Sequence, residues 1–355
     1  MCGKTAAATM TRIKPAPMPI LVTRRLLQRL CYEVLLRGPS PTELRMFDGA
    51  ELATVVPRLL QSREAMTVWF EEQLQYFLLL DQFRPQGETF EKLPSRLQNH
   101  ELDPRAAIAE ILLSTGFSLR NPGNDTFVTV VLEQCLGYRV QDAKIKPILA
   151  VGKKLYDGKK GRFLGKDGQS QSDVVQSVLA HEDFARHLLS REHQRLLGTP
   201  LQKDSSAIAL VQKDYQQFFP VLTEWLQSQA YVDALQQRRA KTERQFLRGL
   251  YFDLLERTPS YEELRNLRNA MQAMADPAPL RSVLAKVVLD SGQCKLPECL
   301  PEKAAEFVRE CFLRYLAREP SERELAAFLK VLLQDGGLPL QVVRVLVGSL
   351  EYQTY

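Results

Sequence analysis

The chain has 355 residues, of which 45% are hydrophobic and 25% are charged, and it carries a formal net charge of +5 at pH 7. This composition excludes a disordered chain, and the modest number of 18 glycines argues against an all-β protein rich in tight turns. The longest apolar runs are far shorter than the ~20 residues that span a bilayer. We therefore expect no membrane span. Because no apolar segment of secretory length begins the chain, we expect a cytoplasmic protein with a flexible tail over residues 1–18.

One ten-residue pattern, L-x-R-x-P-S-x-x-E-L, occurs at residues 35–44, 255–264 and 316–325. Its serine is an N-cap, and its glutamate, three residues later, reaches back to the cap to form a capping box. The preceding proline ends the helix before it. The pattern predicts a helix–tight turn–helix corner whose arginine binds helix-end carbonyls or a carboxylate of its own unit. The corner-motif residues are Arg37, Ser40, Glu43, Arg257, Ser260, Glu263, Arg318, Ser321 and Glu324.

Apolar helical segments with similar endings follow these corners. Weaker corners lie at residues 196–200 and near Leu136, and aligning the five corners gives steps of 101, 60, 59 and 61 residues. A unit of about three helices cannot bury its apolar faces alone, whereas stacked neighbours can. We predict an all-α fold of tandem helical modules, with three secure copies and spacing that fits five or six. The similar endings are residues 59–65, 111–121, 178–188, 225–235, 287–293 and 346–355.

These corners divide the chain into N-terminal helical modules at 19–123, middle helical modules with a basic loop at 124–235, and two C-terminal repeats at 236–355. Residues 117–127 predict a turn at the first boundary. The β-rich run at 127–132 continues into a segment like the first helix of a unit, and we predict helix there.

The middle segment carries a concentrated positive charge. Residues 139–168 contain nine Lys or Arg and three Asp, a net charge of +6 against +5 for the whole chain. Four glycines between residues 158 and 168 predict a mobile loop. Two interpretations stay open: a solvated loop between helices, or a docking surface for an acidic protein or a phosphate backbone. The proposed partner-binding residues are Lys153, Lys154, Lys159, Lys160, Arg162 and Lys166.

The corner motif followed by a terminal S-x-E-Y resembles the helical domain of phycobilisome linker proteins and related domains of unknown function in bacterial surface and matrix proteins. The clearest similarity covers residues 307–355. Residues 39–44 and 59–74 are similar to uncharacterised domains common in planctomycetes, which are often attached to cytochrome modules. The resemblance implies a scaffold that docks other proteins. The matching C-terminal residues are Arg318, Pro320, Ser321, Glu324, Ser349, Glu351 and Tyr352.

The chain departs from these families at several places. It has no C-x-x-C-H haem site and no evident bilin attachment, so we expect no cofactor. The glycine that usually precedes the motif arginine is replaced by Leu36, Glu256 and Ala317.

Histidine and cysteine spacing gives no support for a metal or catalytic site. His181, His187 and His193 lie six residues apart, so on a helix they do not converge. Cys294 and Cys299 are spaced too widely for a usual zinc pair. Hydrolase, zinc-protease and dinucleotide-binding motifs are also missing from the sequence. We therefore expect no enzyme and no metal.

The pattern as a whole predicts a non-enzymatic scaffold or linker subunit in a larger multi-subunit assembly. A nucleic-acid-binding protein that uses 139–168 is the alternative, and an enzyme of unrecognised type is the third. Because the last apolar helix lies close to Tyr355, we expect its apolar residues to be covered by another protein or by a second copy of the chain. That predicted terminal interface consists of Val342, Val343, Leu346, Leu350 and Tyr352.

Overall fold

The computed structural model describes residues 19–79, 81–274, 276, 278–333 and 337–355. Within these ranges it contains 20 α-helices and one small two-stranded sheet, and it is about 68% helical. The predicted all-α fold is confirmed. The predicted tail over residues 1–18 lies outside the described residues. No helix in the described ranges combines the length and apolar character needed to cross a membrane.

The first fourteen helices and the sheet surround one hydrophobic core that extends from Val22 to Tyr231. The two strands, β1 (Gly161–Phe163) and β2 (Lys166–Gly168), are antiparallel. The helices are α1 (Arg24–Val34), α2 (Pro41–Phe47), α3 (Leu52–Leu60), α4 (Arg63–Leu78), α5 (Glu88–Gln98), α6 (Pro104–Leu112), α7 (Thr115–Arg120), α8 (Gly123–Leu136), α9 (Lys146–Tyr156), α10 (Gln171–Leu179), α11 (Glu182–Leu197), α12 (Ser206–Lys213), α13 (Phe218–Leu226) and α14 (Gln229–Asp233).

The remaining helices surround a second core, from Phe246 to Tyr352. The predicted division at 235 and 236 therefore falls between the two cores, whereas the first core continues across the predicted division at 123 and 124. The helices are α15 (Glu243–Leu255), α16 (Tyr261–Gln272), α17 (Ala278–Leu289), α18 (Ala304–Leu316), α19 (Glu322–Leu333) and α20 (Pro339–Val347).

The β-rich run at 127–132 is helical, as predicted, and forms part of α8. Its apolar residues recur at positions i, i+1, i+4 and i+5, which lie on one face of a helix and not on one face of a strand. All four are fully buried, so tertiary packing on that face outweighs the β propensity of valine. They are Phe127, Val128, Val131 and Leu132.

The two cores meet where α15 crosses α1. The amide of Gln245 donates to the backbone carbonyl of Tyr32 at 3.0 Å, and the ammonium of Lys241 donates to the Tyr32 hydroxyl at 2.7 Å. Gly249 allows this close approach, because a Cβ at that position would lie 2.7 Å from the same hydroxyl. The last residue, Tyr355, also pairs with Arg239 through two backbone hydrogen bonds of 2.9 and 3.0 Å.

Candidate functional site

The three predicted corners have the same capping geometry. In each, the serine hydroxyl accepts from the glutamate amide, at 3.1 Å in the first corner, 3.2 Å in the second and 3.3 Å in the third. The glutamate carboxylate in turn accepts from the serine amide, at 2.6, 2.7 and 2.8 Å. These are the two reciprocal bonds of a capping box.

The motif arginine grips the same glutamate. Arg37 donates to both carboxylate oxygens of Glu43 at 2.8 and 3.0 Å, and also to the carbonyl of the next residue. Arg257 and Arg318 make the corresponding bonds to their own capping glutamates. The arginines therefore have the geometry that the sequence predicts, with a bidentate pair inside each corner.

The residue before each arginine has a left-handed backbone, although none is glycine. Leu36, Glu256 and Ala317 have φ values of 54°, 53° and 55°. This conformation lets the chain leave one helix and turn towards the next, and it normally favours glycine. These three side chains therefore lie at positions where the backbone is strained by about 1–2 kcal/mol each.

Two of the three arginines bind a second glutamate that the corner motif does not contain. Arg37 also binds Glu64, at 2.7 and 2.8 Å, and Arg318 binds Glu351, at two distances of 2.8 Å. Both glutamates lie two residues after a serine whose hydroxyl accepts from the amide three residues later, Ser62 at the start of α4 and Ser349 in the turn after α20. The signal in the sequence is S-x-E. In the middle unit the matching triplet is residues 291–293, which ends in glutamine.

Charge pairing lowers the pKa of the corner glutamates. The hydrogen bonds from Arg257 hold the pKa of Glu263 at about 2, and those from Arg318 do the same for Glu324. Burial would raise the pKa of Glu43, but the bonds and charge of Arg37 outweigh it, and the pKa is lowered. These carboxylates are therefore ionised, and they stabilise the corners through their bonds to the motif arginine and to the serine amide.

The basic segment does not form the mobile loop that the sequence predicted. Residues 146–156 form α9, and residues 161–168 form a hairpin whose Leu164-Gly165 turn has positive φ at both positions. Phe163 and Leu155 are fully buried, and a Cβ at Gly152 would lie 2.6 Å from the Val128 side chain. The glycines allow a two-residue turn and close helix packing, so the segment is ordered by burial.

Most of the predicted partner-binding cations lie on the outer surface of this helix and hairpin. Lys153 is half-buried and forms an ion pair with Asp125 of α8. The other five are exposed, and none forms an ion pair with another described residue. We call these five residues the basic face; they are Lys154, Lys159, Lys160, Arg162 and Lys166.

The predicted terminal interface is wrong for four of its five residues. Val342, Val343, Leu346 and Tyr352 are at most 3% exposed because the second core of the same chain covers them. The Tyr352 hydroxyl also donates to Asp253 at 2.7 Å. Only Leu350 is open, at 79% exposure. The final unit buries its own apolar face, so these residues give no reason to expect a partner there.

The histidines and cysteines are dispersed. His187 is half-buried beside Arg191, and burial together with this charge lowers its pKa to about 4. His193 contacts the Thr199 carbonyl, with 2.7 Å between Nδ1 and the oxygen. Burial raises the pKa of Cys311 to about 12. No group of three or more His, Cys, Asp or Glu able to hold a metal occurs within the described parts of the chain.

A cavity of about 440 Å³ lies between α4, α11, α13 and residues 239–245. Val68, Phe219 and Leu222 form part of its apolar wall, and Arg191 and Arg195 enter it from α11. Sequence reasoning missed this cavity because its walls come from segments that are widely separated along the chain. The one local signal was the pair of arginines four residues apart, which share a helix face.

No protein-family model matches the chain, and no curated protein matches it significantly.

Proposed function

We propose that this chain is a non-enzymatic docking subunit that holds an acidic partner protein on its basic face. The observation that carries the proposal is that five exposed cations on an ordered helix and hairpin have no ion-pair partner among the described residues. Unpaired like charges on one surface repel one another, and a partner of opposite charge removes that cost.

The order of the underlying element supports a docking role. Leu155 and Phe163 anchor α9 and the hairpin in the first core, so Lys154 and Arg162 extend from a preformed surface. A preformed surface loses little conformational entropy on binding, which favours affinity. Asp157, within the same segment, accepts from the Asn124 amide at 2.8 and 2.9 Å and forms no ion pair with the basic face.

The aromatic residues of the segment favour a protein partner over single-stranded nucleic acid. Tyr156 is half-buried against Phe127, with ring centroids 5.3 Å apart, and Phe163 is 1% exposed. Stacking of bases on exposed aromatic rings is a main source of affinity for single strands, and these rings are occupied. A double-stranded phosphate backbone remains the alternative, because it needs only the cations.

Zero-length carbodiimide cross-linking in the complex purified from source cells tests this proposal. The reagent joins lysine amines to carboxylates in contact, so we expect cross-links from Lys154, Lys159 or Lys160 to glutamate or aspartate of another protein. Reversal of these three lysines to glutamate should abolish the cross-links and release the partner. Lys153 is left unchanged because it also pairs with Asp125.

A matched variant separates a specific surface from net charge. Lys203, Lys213 and Lys330 are exposed and lie outside the basic face, so reversing them produces the same change in net charge. This control should keep the partner. Equal loss in both variants, or tight salt-dependent binding of duplex DNA by the wild type without a protein cross-link, would contradict the proposal.

A further inference from the structure

The cavity between α4, α11 and α13 has the size and lining of a ligand site. Its volume of about 440 Å³ lies in the range of roughly 300–1,000 Å³ that is usual for small-molecule pockets. Arg195, one of its lining residues, has a side chain that is 43% exposed. The apolar wall includes Val68, Phe219 and Leu222.

The glutamates that line the cavity are already bound by arginines. Glu33 accepts from Arg29 and Arg239, each at 3.0 Å. Glu192 forms an ion pair with Arg195 at 2.8 Å. Because these carboxylates have partners, they leave little negative charge to attract a cation.

A third glutamate that lines the cavity is also paired with an arginine. Glu72 lies 2.8 Å from Arg244, which comes from α15. The acidic part of the lining is therefore paired within the chain.

Arg191 is the cation in this cavity that has no carboxylate partner among the described residues. Its guanidinium lies over the Tyr76 ring, 3.3 Å from the centroid, and it makes one long hydrogen bond of 3.4 Å to Gln73. A guanidinium has five N–H donors in a planar fork that fits a carboxylate. Most donors of Arg191 therefore remain available beside an apolar wall.

We infer that the cavity binds an amphipathic monocarboxylate, with its carboxylate on Arg191 and its hydrocarbon against Val68, Phe219 and Leu222. A monoanion matches the single unpaired charge. A dianion such as a phosphate monoester carries a second negative charge for which the lining offers no unpaired cation among the described residues, so its desolvation would be uncompensated.

Titration with octanoate, 1-octanol and octyl phosphate tests this inference on the full-length chain. Binding is measured by calorimetry and by Trp69 fluorescence in a Trp225→Phe background, since the chain has two tryptophans. We expect saturable binding of octanoate with one site per chain. Octyl phosphate should bind more weakly. Tighter binding of octyl phosphate, or no saturable binding of octanoate by the folded protein, overturns the inference.

Variants test separately the cationic end of the site, at Arg191, and its apolar wall. Arg191→Met should weaken octanoate binding about tenfold to a hundredfold, because a charge-assisted pair is lost, and should leave 1-octanol binding unchanged. Arg191→Gln, measured in parallel, should show the same loss of octanoate affinity. Val68→Phe should fill the apolar end and weaken both ligands.

Arg186→Met is the matched control. Arg186 lies on the same helix, pairs with Asp183, and does not line the cavity, so octanoate should bind this variant as it binds the wild type. Equal loss in Arg186→Met and Arg191→Met, or full octanoate affinity in Arg191→Met, contradicts the assignment. Melting curves of each variant show that loss of binding does not reflect loss of folding.

Discussion

The corners at Arg37 and Arg257 share one sequence motif and one capping-box pattern, but they differ in their surroundings. The Arg37 side chain is 7% exposed, lies 4.1 Å from the Phe252 ring centroid in α15, and binds two glutamates. The Arg257 side chain is 44% exposed and pairs with Glu263. The motif determines the geometry of the local turn. The position of the corner in the fold determines how much its arginine contributes to the free energy of unfolding.

The corner at Arg318 lies between these two cases. Its side chain is 33% exposed and it binds both Glu324 and Glu351. Comparison of the three corners shows two separate contributions, a second carboxylate and burial. The first corner has both, the third has the carboxylate with partial exposure, and the second has neither.

Replacing the arginines should give the largest difference between the corners. Arg37→Ala leaves two partly buried carboxylates without their cation and should lower the free energy of unfolding by about 3–5 kcal/mol. Arg257→Ala should cost under about 1 kcal/mol, because an exposed pair is screened by solvent. Both tryptophans lie in or against the first core, so urea unfolding followed by tryptophan fluorescence detects the Arg37 effect.

Circular dichroism, which reports both cores, is the companion measurement for Arg257→Ala. Equal losses of stability in the two variants would show that burial does not separate the corners.

Glycine at the left-handed positions should have opposite effects in the two regions. Ala317 is half-buried, so Ala317→Gly should relieve backbone strain and raise the free energy of unfolding by about 0.5 kcal/mol. Leu36 is 5% exposed, so Leu36→Gly removes a packed side chain and should lower stability by about 2 kcal/mol despite the same relief. Urea midpoints that move in the same direction for both variants would contradict this view.

The capping serines should contribute a similar free energy in each corner. Ser321→Ala removes the acceptor for the Glu324 amide and should cost about 1 kcal/mol in urea unfolding followed by circular dichroism. Ser321→Thr keeps a hydroxyl and is the control, with an expected loss of only a few tenths of a kcal/mol. A Ser321→Ala variant as stable as the wild type would show that the capping box does not stabilise this corner.

Acid should remove the stabilisation that comes from the Arg318–Glu324 ion pair. Arg318 holds the pKa of Glu324 at about 2, below its ordinary value of 4.5, so the folded state releases this proton more readily than the unfolded state. The stabilisation is present above pH 4.5 and is lost as the pH falls towards 2. Relative to Glu324→Gln, the wild type should be more stable by about 0.2–1 kcal/mol at pH 7.

That difference should shrink as urea unfolding is repeated from pH 4.5 down to pH 2.5. A difference that stays constant or grows on acidification would show that the carboxylate charge is not its source. The same experiment on Glu263 should give the same pH window, since its pKa is also about 2.

Much of the local structure could be predicted because its causes lie within a few residues. The capping boxes at Ser40, Ser260 and Ser321 follow from a serine and a glutamate three positions apart. The six similar helix endings also share a local cause, since each places a side-chain acceptor before the next turn, as Ser62 and Ser228 do at 3.1 and 3.2 Å. The basic charge of 139–168 is likewise a property of composition.

The tertiary structure decided which of these features are covered and which remain open. The glycines at 158–168 predicted a mobile loop, but Phe163 is buried in the first core. The sequence alone does not show which surface a single apolar residue will cover. Val342 and Val343 similarly depend on helices far away in the chain.

The corner geometry was therefore determined by the sequence, because a capping bond joins residues three positions apart and needs no distant partner. The burial of Arg37, the order of the basic face and the cavity beside Arg191 were decided by the tertiary structure. Each requires helices separated by many residues to meet, and the free energy of that packing depends on complementary shapes that local patterns do not specify.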